Sequence, residues 1–382
     1  MADNRRSVPL CDLTRQAAEL ESEIMEAIRR VVLSGRYILG PECEAFEADF
    51  AKSVGTAHAI GCASGSDALL IALLSTGVGP GDEVIVPDYT FFATAAAVSR
   101  AGAIPVFVDV EPGYLTLDPS RIAARITPRT KAVLPVHLFG NAANLAELQA
   151  LCDERGLLLI EDAAQALGAT WDGRSVGTWG NAGCFSFFPT KNLGVFGDGG
   201  MLVTNQEDIA TLARQIRVQG QTARHRHERI GLNSRLDALQ AAILRVKLPH
   251  LPRFKQRRQE VFDRYALGLS SVAAAGWIQL PAPSPRCESA WNLYVLQVAE
   301  PHQNGLRDFL ESAGIQTEIY YPLTLHQQPC YTGLREAAGG AYPVAERAAR
   351  MSLAIPMFPE LTPGEQEYVI EHVITFFDGQ VP

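Results

Sequence analysis

Short, continuous apolar runs alternate with helix-like stretches between residue 60 and about residue 205. Continuous apolar runs predict strands that are covered on both faces, because a strand with one wet face alternates apolar and polar residues. The predicted strands are 83–87, 104–110, 132–138, 157–161, 184–188 and 201–204. The predicted helices are 67–74, 93–100 and 145–155. Strands that alternate with helices predict an α/β fold, with a mainly parallel sheet flanked by helices.

The pattern changes after about residue 245, where a basic helical stretch at 254–267 precedes a proline-rich loop. Four further elements are predicted beyond that loop, namely a strand at 293–298, a helix at 306–313, a strand at 316–321 and a closing helix at 363–377. The length of 382 residues is enough for two domains. We therefore predict a large domain at 1–245, which includes an N-terminal helical segment, and a small C-terminal α+β domain at 246–382.

The composition excludes several classes of function. The formal net charge is −9, which disfavours nucleic-acid binding because phosphates repel an acidic surface. No apolar run approaches the roughly 18 residues of a membrane span, and the first residues lack the apolar segment of a signal peptide. The seven cysteines form no C-x-x-C pair that would indicate zinc or redox chemistry. We expect a cytoplasmic protein with no metal site and no membrane or nucleic-acid partner.

The first chemical motif is FSFFPTKNLGVFGDGG at residues 185–200, which places Lys191 in a turn after a predicted strand. A lysine that is partly desolvated has a lowered pKa and can form an imine with an aldehyde cofactor. Taken alone, a loop lysine is most often a solvated surface residue. The position of Lys191 between two predicted core strands favours the chemical role.

The second motif is EDAAQALGA at residues 161–169, directly after a predicted strand. Asp162 would project from the carboxyl end of a parallel strand, where open α/β sheets place their sites. Its carboxylate can keep a pyridine nitrogen protonated, and Gln165 can hydrogen-bond the ring hydroxyl of the same cofactor. A helix N-cap is an equally good interpretation of Asp162 taken alone.

The third motif is CASGSDALLIAL at residues 62–73, in which small and hydroxyl residues open a helix. The free N–H groups of Gly65 and Ser66 can hold a phosphate at this helix start, and Ser186 can add a hydroxyl. Phe91 can stack on a planar ring, although core packing explains it equally well. Dinucleotide binding is disfavoured, because no G-x-G-x-x-G links a strand to a helix.

Together these motifs resemble the fold-type-I aminotransferases of the DegT/DnrJ/EryC1/StrS family, whose cofactor is pyridoxal 5'-phosphate. The resemblance extends from SGRYILGPECEAFE at residues 34–47 to GLNSRLDALQAAIL at 231–244. It implies that Lys191 binds the cofactor as a Schiff base, that Asp162 pairs with the pyridinium nitrogen and that Gln165 lies near the ring hydroxyl. The resemblance assigns the remaining contacts within the subunit to the stacking residue Phe91 and the phosphate ligands Gly65, Ser66 and Ser186.

The resemblance also implies a homodimer with shared active sites, because Asn233 would reach the phosphate of the neighbouring subunit. Relatives with histidine at the lysine position perform dehydration, so Lys191 favours amino transfer. The implied donor is L-glutamate, and the implied acceptor is an oxo-sugar nucleotide such as a UDP- or dTDP-linked 3-oxo sugar. Such an activity would serve the biosynthesis of amino sugars and surface polysaccharides.

The acceptor is the least defined part of the prediction. The segment 219–237 carries Arg224, Arg226 and Arg229 and is similar to that of aminotransferases acting on UDP-2-acetamido-3-oxo-glucuronate. Arginines of this kind can bind a diphosphate or a carboxylate, but a solvated charged loop is an equally good interpretation. Those enzymes tend to have His-Tyr-Pro where this chain has Tyr-Tyr-Pro at 320–322. By resemblance, the acceptor-side residues are Tyr37, Arg229, Tyr321 and His326.

Two alternatives stay open at this stage. The first is a transaminase of a ketone that carries no nucleotide, such as a keto-inositol. The second is a regulatory protein that binds the cofactor without turnover.

Overall fold

The computed structural model describes residues 7–334 and 341–379. Its helices are α1 Leu13–Glu19, α2 Glu21–Ser34, α3 Pro41–Val54, α4 Gly65–Ser75, α5 Ala93–Arg100, α6 Leu145–Arg155, α7 Glu207–Ile216, α8 Ala238–Lys247, α9 Leu251–Gly268, α10 Ser270–Ala274, α11 His302–Ser312, α12 Pro343–Met351 and α13 Pro363–Asp378. Its strands are β1 His58–Cys62, β2 Glu83–Pro87, β3 Ile104–Val108, β4 Thr130–Val133, β5 Leu158–Asp162, β6 Thr170–Trp171, β7 Arg174–Ser175, β8 Ala182–Ser186, β9 Gly200–Thr204, β10 Gln221–Ala223, β11 Arg226–His227, β12 Ile278–Gln279, β13 Cys287–Glu288, β14 Tyr294–Val298 and β15 Ser352–Ile355. Within these ranges, no helix has both the length and the apolar character that a membrane crossing requires.

Seven strands form the central sheet in the order β1-β9-β8-β5-β4-β2-β3. The pairs from β8 through β5, β4 and β2 to β3 are all parallel, and only β9 runs against its neighbours β1 and β8. The predicted α/β fold with a mainly parallel sheet is therefore confirmed. The carboxyl ends of β1, β2, β5 and β8 lie at one edge, because these four strands share a direction.

Burial explains why continuous apolar runs predicted these strands. Every residue of β2 is buried, as expected of a strand that helices cover on both faces. Helix α4 is likewise apolar around most of its circumference, with eight buried residues in its eleven. It packs against β8 and β9 and so brings its first turn to the carboxyl edge of the sheet.

A second, antiparallel sheet forms in the C-terminal part of the chain, in the order β12-β14-β15. Its core contains residues of α9, α11 and α13, and also Val8 from the start of the described chain. The predicted division at residue 245 remains a prediction.

The predicted strand at 316–321 is wrong. Within this segment, Glu318 makes an isolated pairing with Ala354 of β15. The strand that pairs with β14 to complete the small sheet is β15 and not this segment. The backbone N–H of Tyr321 bonds instead to the hydroxyl of Tyr89, 2.9 Å away. Strand β4 also ends earlier than predicted, at Val133, since Pro135 has no N–H to continue the pairing.

Candidate active site

A cavity of about 410 Å³ opens at the carboxyl edge of the central sheet. It is lined by parts of the three motifs, by the loop after β2 and by the segment around residues 320–321. Eight of the predicted site residues line it, namely Gly65, Ser66, Phe91, Asp162, Gln165, Ser186, Lys191 and Tyr321. The fold thus brings together side chains that lie up to 256 positions apart, counted from residue 65 to residue 321.

Lys191 lies in the turn after β8, where its N–H donates to the carbonyl of Phe188 at 2.8 Å. The turn needs glycine at 194, because a Cβ there would lie 2.2 Å from the carbonyl oxygen of Pro189. Burial lowers the pKa of Lys191 to about 8, and the negative charge of Asp162 opposes that shift. The neutral amine, which a nucleophile or base requires, is therefore more populated near neutral pH than in an ordinary lysine.

Asp162 ends β5 and is only 5% exposed. Its carboxylate accepts hydrogen bonds from the Thr94 hydroxyl at 2.8 Å and from the N–H of Ala164 at 3.1 Å. Burial raises the pKa of Asp162, while these two bonds and the charge of Lys191 act in the opposite direction. The N-cap interpretation is wrong, because the element that follows Asp162 in the described chain is strand β6 and not a helix.

Gln165 is held between two parts of the cavity wall. Its side-chain oxygen accepts from the N–H of Phe139 at 3.0 Å, and its amide nitrogen donates to the hydroxyl of Tyr321 at 3.0 Å. The Tyr321 ring lies 6.0 Å from the ring of Phe91 and 6.4 Å from that of Phe139. Gln165 therefore fixes one wall of the cavity, whatever else its remaining amide hydrogen binds.

The start of α4 forms a cradle with the end of β8. Ser64 caps the helix by accepting from the N–H of Asp67 at 3.1 Å, and the N–H of Ala68 makes the first intrahelical bond. The N–H groups of Gly65 and Ser66 precede that bond and remain available for an anion. A Cβ on Gly65 would lie 2.7 Å from the Cβ of Ser186, so only glycine leaves this space open.

Four predicted site residues lie outside the cavity. Three of them are exposed, namely Tyr37, Arg229 and Asn233. The Tyr37 hydroxyl donates to the carbonyl of Val32, and the backbone of Asn233 pairs with that of Val218. His326 is partly buried against the carboxylate of Asp88, 2.6 Å away. The arginine-rich segment forms the exposed β10–β11 hairpin and the turn after it.

Motif analysis missed several polar residues of the site, among them Thr94, Asn292 and Thr90. Thr94 supports Asp162 and belongs to a stretch that had been interpreted only as helix. Asn292 lines the cavity, and its amide donates to the Asn192 side-chain oxygen at 3.0 Å, next to Lys191. The buried Thr90 hydroxyl also lines the cavity and has no hydrogen-bond partner within the described ranges. No local pattern marks Thr90 or Asn292, since each is an isolated polar residue between apolar ones.

This arrangement fits pyridoxal phosphate. A buried carboxylate is stable when a cation lies beside it, and a protonated ring nitrogen would give Asp162 that partner. The unpaired N–H groups at the start of α4 suit the phosphate, and Lys191 is the amine that the aldehyde needs. The hydroxyl of Thr90, which has no partner in the described part of the chain, adds a polar contact in the same cavity.

Comparisons with known proteins show the family and the fold. The sequence profile of the DegT/DnrJ/EryC1/StrS aminotransferase family matches residues 18–374. The erythromycin biosynthesis sensory transduction protein EryC1 of Saccharopolyspora erythraea is 47% identical, over 95% of this chain and 98% of its own. The dTDP-3-amino-3,4,6-trideoxy-alpha-D-glucose transaminase of Streptomyces venezuelae is 44% identical, over 96% of this chain and 95% of its own. The crystal structure of S. venezuelae DesV in complex with a ketimine intermediate superposes with a TM-score of 0.92 at 44% identity, covering 97% of this chain and 98% of that one.

Proposed function

Because the chain belongs to the DegT/DnrJ/EryC1/StrS aminotransferase family and is a pyridoxal-phosphate-dependent aminotransferase, we propose that it transfers the amino group of L-glutamate to the keto group of an oxo-sugar nucleotide. The observation that carries the proposal is the pairing of Lys191, with its lowered pKa, and the buried Asp162 in one cavity. The similar transaminase of dTDP-linked 3-amino sugars supports the acceptor class. The product would enter amino-sugar and surface-polysaccharide biosynthesis.

Some residues of the cavity would bind the cofactor, and Lys191 would transfer protons. Pyridoxal phosphate, when bound, supplies an electron sink for negative charge that develops at the substrate carbon. Asp162 would keep the ring nitrogen protonated, and Gly65, Ser66 and Ser186 would hold the phosphate. Lys191, as a neutral amine, would take a proton from the donor α-carbon and later give one to the acceptor carbon. Tyr321 and Phe91 cover the cavity and limit the access of water.

The exposed predicted residues support a homodimer with shared sites. Asn233 and Arg229 would act in the cavity of the neighbouring subunit, because they are exposed and do not line the cavity of their own. Ile230 between them is 96% exposed, and Ile38 is 51% exposed, so an interface would cover apolar surface. The cysteines are all free thiols, which supports a cytoplasmic location.

A regulatory role is the second candidate, since one relative is named a sensory transduction protein. The complete pair of Lys191 and Asp162 favours turnover. Both roles can hold in one protein, but only turnover needs Asp162 to keep a ring nitrogen protonated.

The test is a screen of purified protein with glutamate against oxo-sugar nucleotides and free keto sugars or keto-inositols, in which 2-oxoglutarate is measured. Product that depends on the nucleotide and is lost in Lys191→Ala supports the proposal. Product with free ketones alone favours the first alternative, and no product with any ketone favours the regulatory one.

The acceptor side has a matched pair of variants. Arg229→Ala should slow the acceptor half-reaction about ten- to a hundredfold, because a hydrogen bond to a charged group is lost. Its glutamate half-reaction should be unchanged. Arg214→Ala is the control, because Arg214 is another arginine at the surface, on α7, with Glu207 4.0 Å away. Equal rates in both variants would show that Arg229 does not bind the acceptor. An unchanged acceptor half-reaction after removal of Arg224, Arg226 and Arg229 would show that the arginine-rich segment is only a solvated loop.

A further inference from the structure

The segment 320–326, called the strap below, joins the cavity wall to the end of β2. Its first two residues, Tyr320 and Tyr321, line the cavity. Three backbone N–H groups of the strap bond to the two residues that follow β2. The Leu325 N–H donates to the Asp88 carbonyl at 2.8 Å, and the His326 N–H donates to the Asp88 carboxylate at 2.9 Å. The Tyr321 N–H donates to the Tyr89 hydroxyl at 2.9 Å. The strap is therefore tied to the same loop that carries Phe91 into the cavity.

The Asp88 carboxylate is the centre of this attachment. Asp88 is fully buried, and one carboxylate oxygen accepts from the His326 ring at 2.6 Å while the other accepts from the His326 backbone. The Thr324 hydroxyl lies 2.9 Å from the same ring nitrogen. Burial raises the pKa of Asp88 to about 6, and the bonds from His326 oppose that shift. A buried carboxylate that lost its main donor would carry a large desolvation cost, so the pair favours the attached strap.

The second ring nitrogen of His326 is also directed to protein. It lies 3.6 Å from the carboxylate of Glu346 on α12, and the ring lies 4.6 Å from that of Tyr342. Asp88, Glu346, Thr324 and Tyr342 thus surround the imidazole, which does not line the cavity. This environment suits a residue that acts through the strap and not by touching a substrate.

We propose that Asp88 and His326 are positioning residues that hold the strap across the cavity and thereby set the acceptor-side wall formed by Tyr320 and Tyr321. The proposal rests on the proposed function in one respect, because it takes the acceptor substrate to be the molecule that contacts this wall. Gln165 connects the strap to the opposite part of the cavity wall, because its side chain donates to the Tyr321 hydroxyl and accepts from the Phe139 backbone N–H.

Two substitutions at one position test the attachment. His326→Asn keeps an amide N–H near the position of the ring nitrogen that donates to Asp88, whereas His326→Gln places its amide near the other nitrogen. We expect hydrogen exchange in a peptide covering 320–326 to be about tenfold faster in the Gln variant and near the wild-type rate in the Asn variant. His372→Gln on α13 is the control, because its ring nitrogen bonds a backbone carbonyl and no carboxylate. Thermal unfolding is recorded for each variant, so that exchange from global unfolding is recognised.

Steady-state kinetics then test the role of the wall. The acceptor KM should rise about tenfold in the Gln variant, with kcat and the glutamate half-reaction within about twofold of the wild type. Unchanged strap exchange in a folded Gln variant overturns the attachment. Faster exchange with an unchanged acceptor KM overturns the role of the wall. If the wild type uses no oxo-sugar nucleotide, the proposed function fails, and the exchange data still decide whether Asp88 and His326 hold the strap.

Discussion

Replacement of Gly65 by alanine tests the phosphate cradle most directly. The new Cβ would lie 2.7 Å from the Cβ of Ser186, whereas ordinary contacts begin at 3.4 Å. Either α4 or the end of β8 must therefore move by about 0.7 Å (3.4 minus 2.7). Overpacking of this kind costs about 1–3 kcal/mol. The cofactor-free protein can relax by moving α4 away from β8. The bound form needs both sides close to the phosphate, so the cost should raise the Kd for pyridoxal phosphate about 5- to 150-fold.

The measurement is a titration of cofactor-free protein with pyridoxal phosphate, followed by absorbance. Gly79→Ala is the matched control, because a Cβ at Gly79 meets no atom within 4 Å. A Kd within about twofold of the wild type would show that phosphate does not bind between α4 and Ser186.

Three further predictions concern the same site. In cofactor-free protein, the rate of Lys191 acetylation measured by mass spectrometry should rise with pH around a midpoint of about 8, because burial favours the neutral amine. A midpoint near the ordinary pKa of 10.5 would contradict that burial. Asp162→Asn should bind the cofactor but lose activity about a hundredfold or more, and Thr94→Val should lose about tenfold because one hydrogen bond to the carboxylate is removed. Near-normal rates would make Asp162 a structural residue. Inactive Lys191→Ala and Asn233→Ala chains should recover activity in mixed dimers, which contain one intact site; no recovery after verified subunit exchange would place Asn233 outside the partner's site.

Local patterns were sufficient where a structural feature depends on neighbours in the chain. The predicted bounds of β2, α5 and α6 agree with the structure at both ends, because apolar runs and helical spacing are short-range signals. Lys191 and Asp162 were predicted for the same reason, since each follows a buried strand within one motif. The strand β1 was missed, because His58 and Gly61 interrupt its apolar run and it ends where the third motif begins.

Only the tertiary structure decided what surrounds those residues. Thr94 reaches Asp162 across 68 positions, and Asp88 reaches His326 across 238, so no window of sequence contains either pair. The segment around Tyr321 has the composition of a strand, yet beyond Glu318 the N–H groups of Tyr321 and His326 bond to the loop after β2. The sequence by itself determined the fold class, the lysine and the carboxylate, because those depend on local periodicity and on recognisable motifs. The packing of distant segments determined the burial that shifts their pKa values and the cavity wall that contains Tyr320 and Tyr321, because desolvation and contact distance exist only in the folded chain.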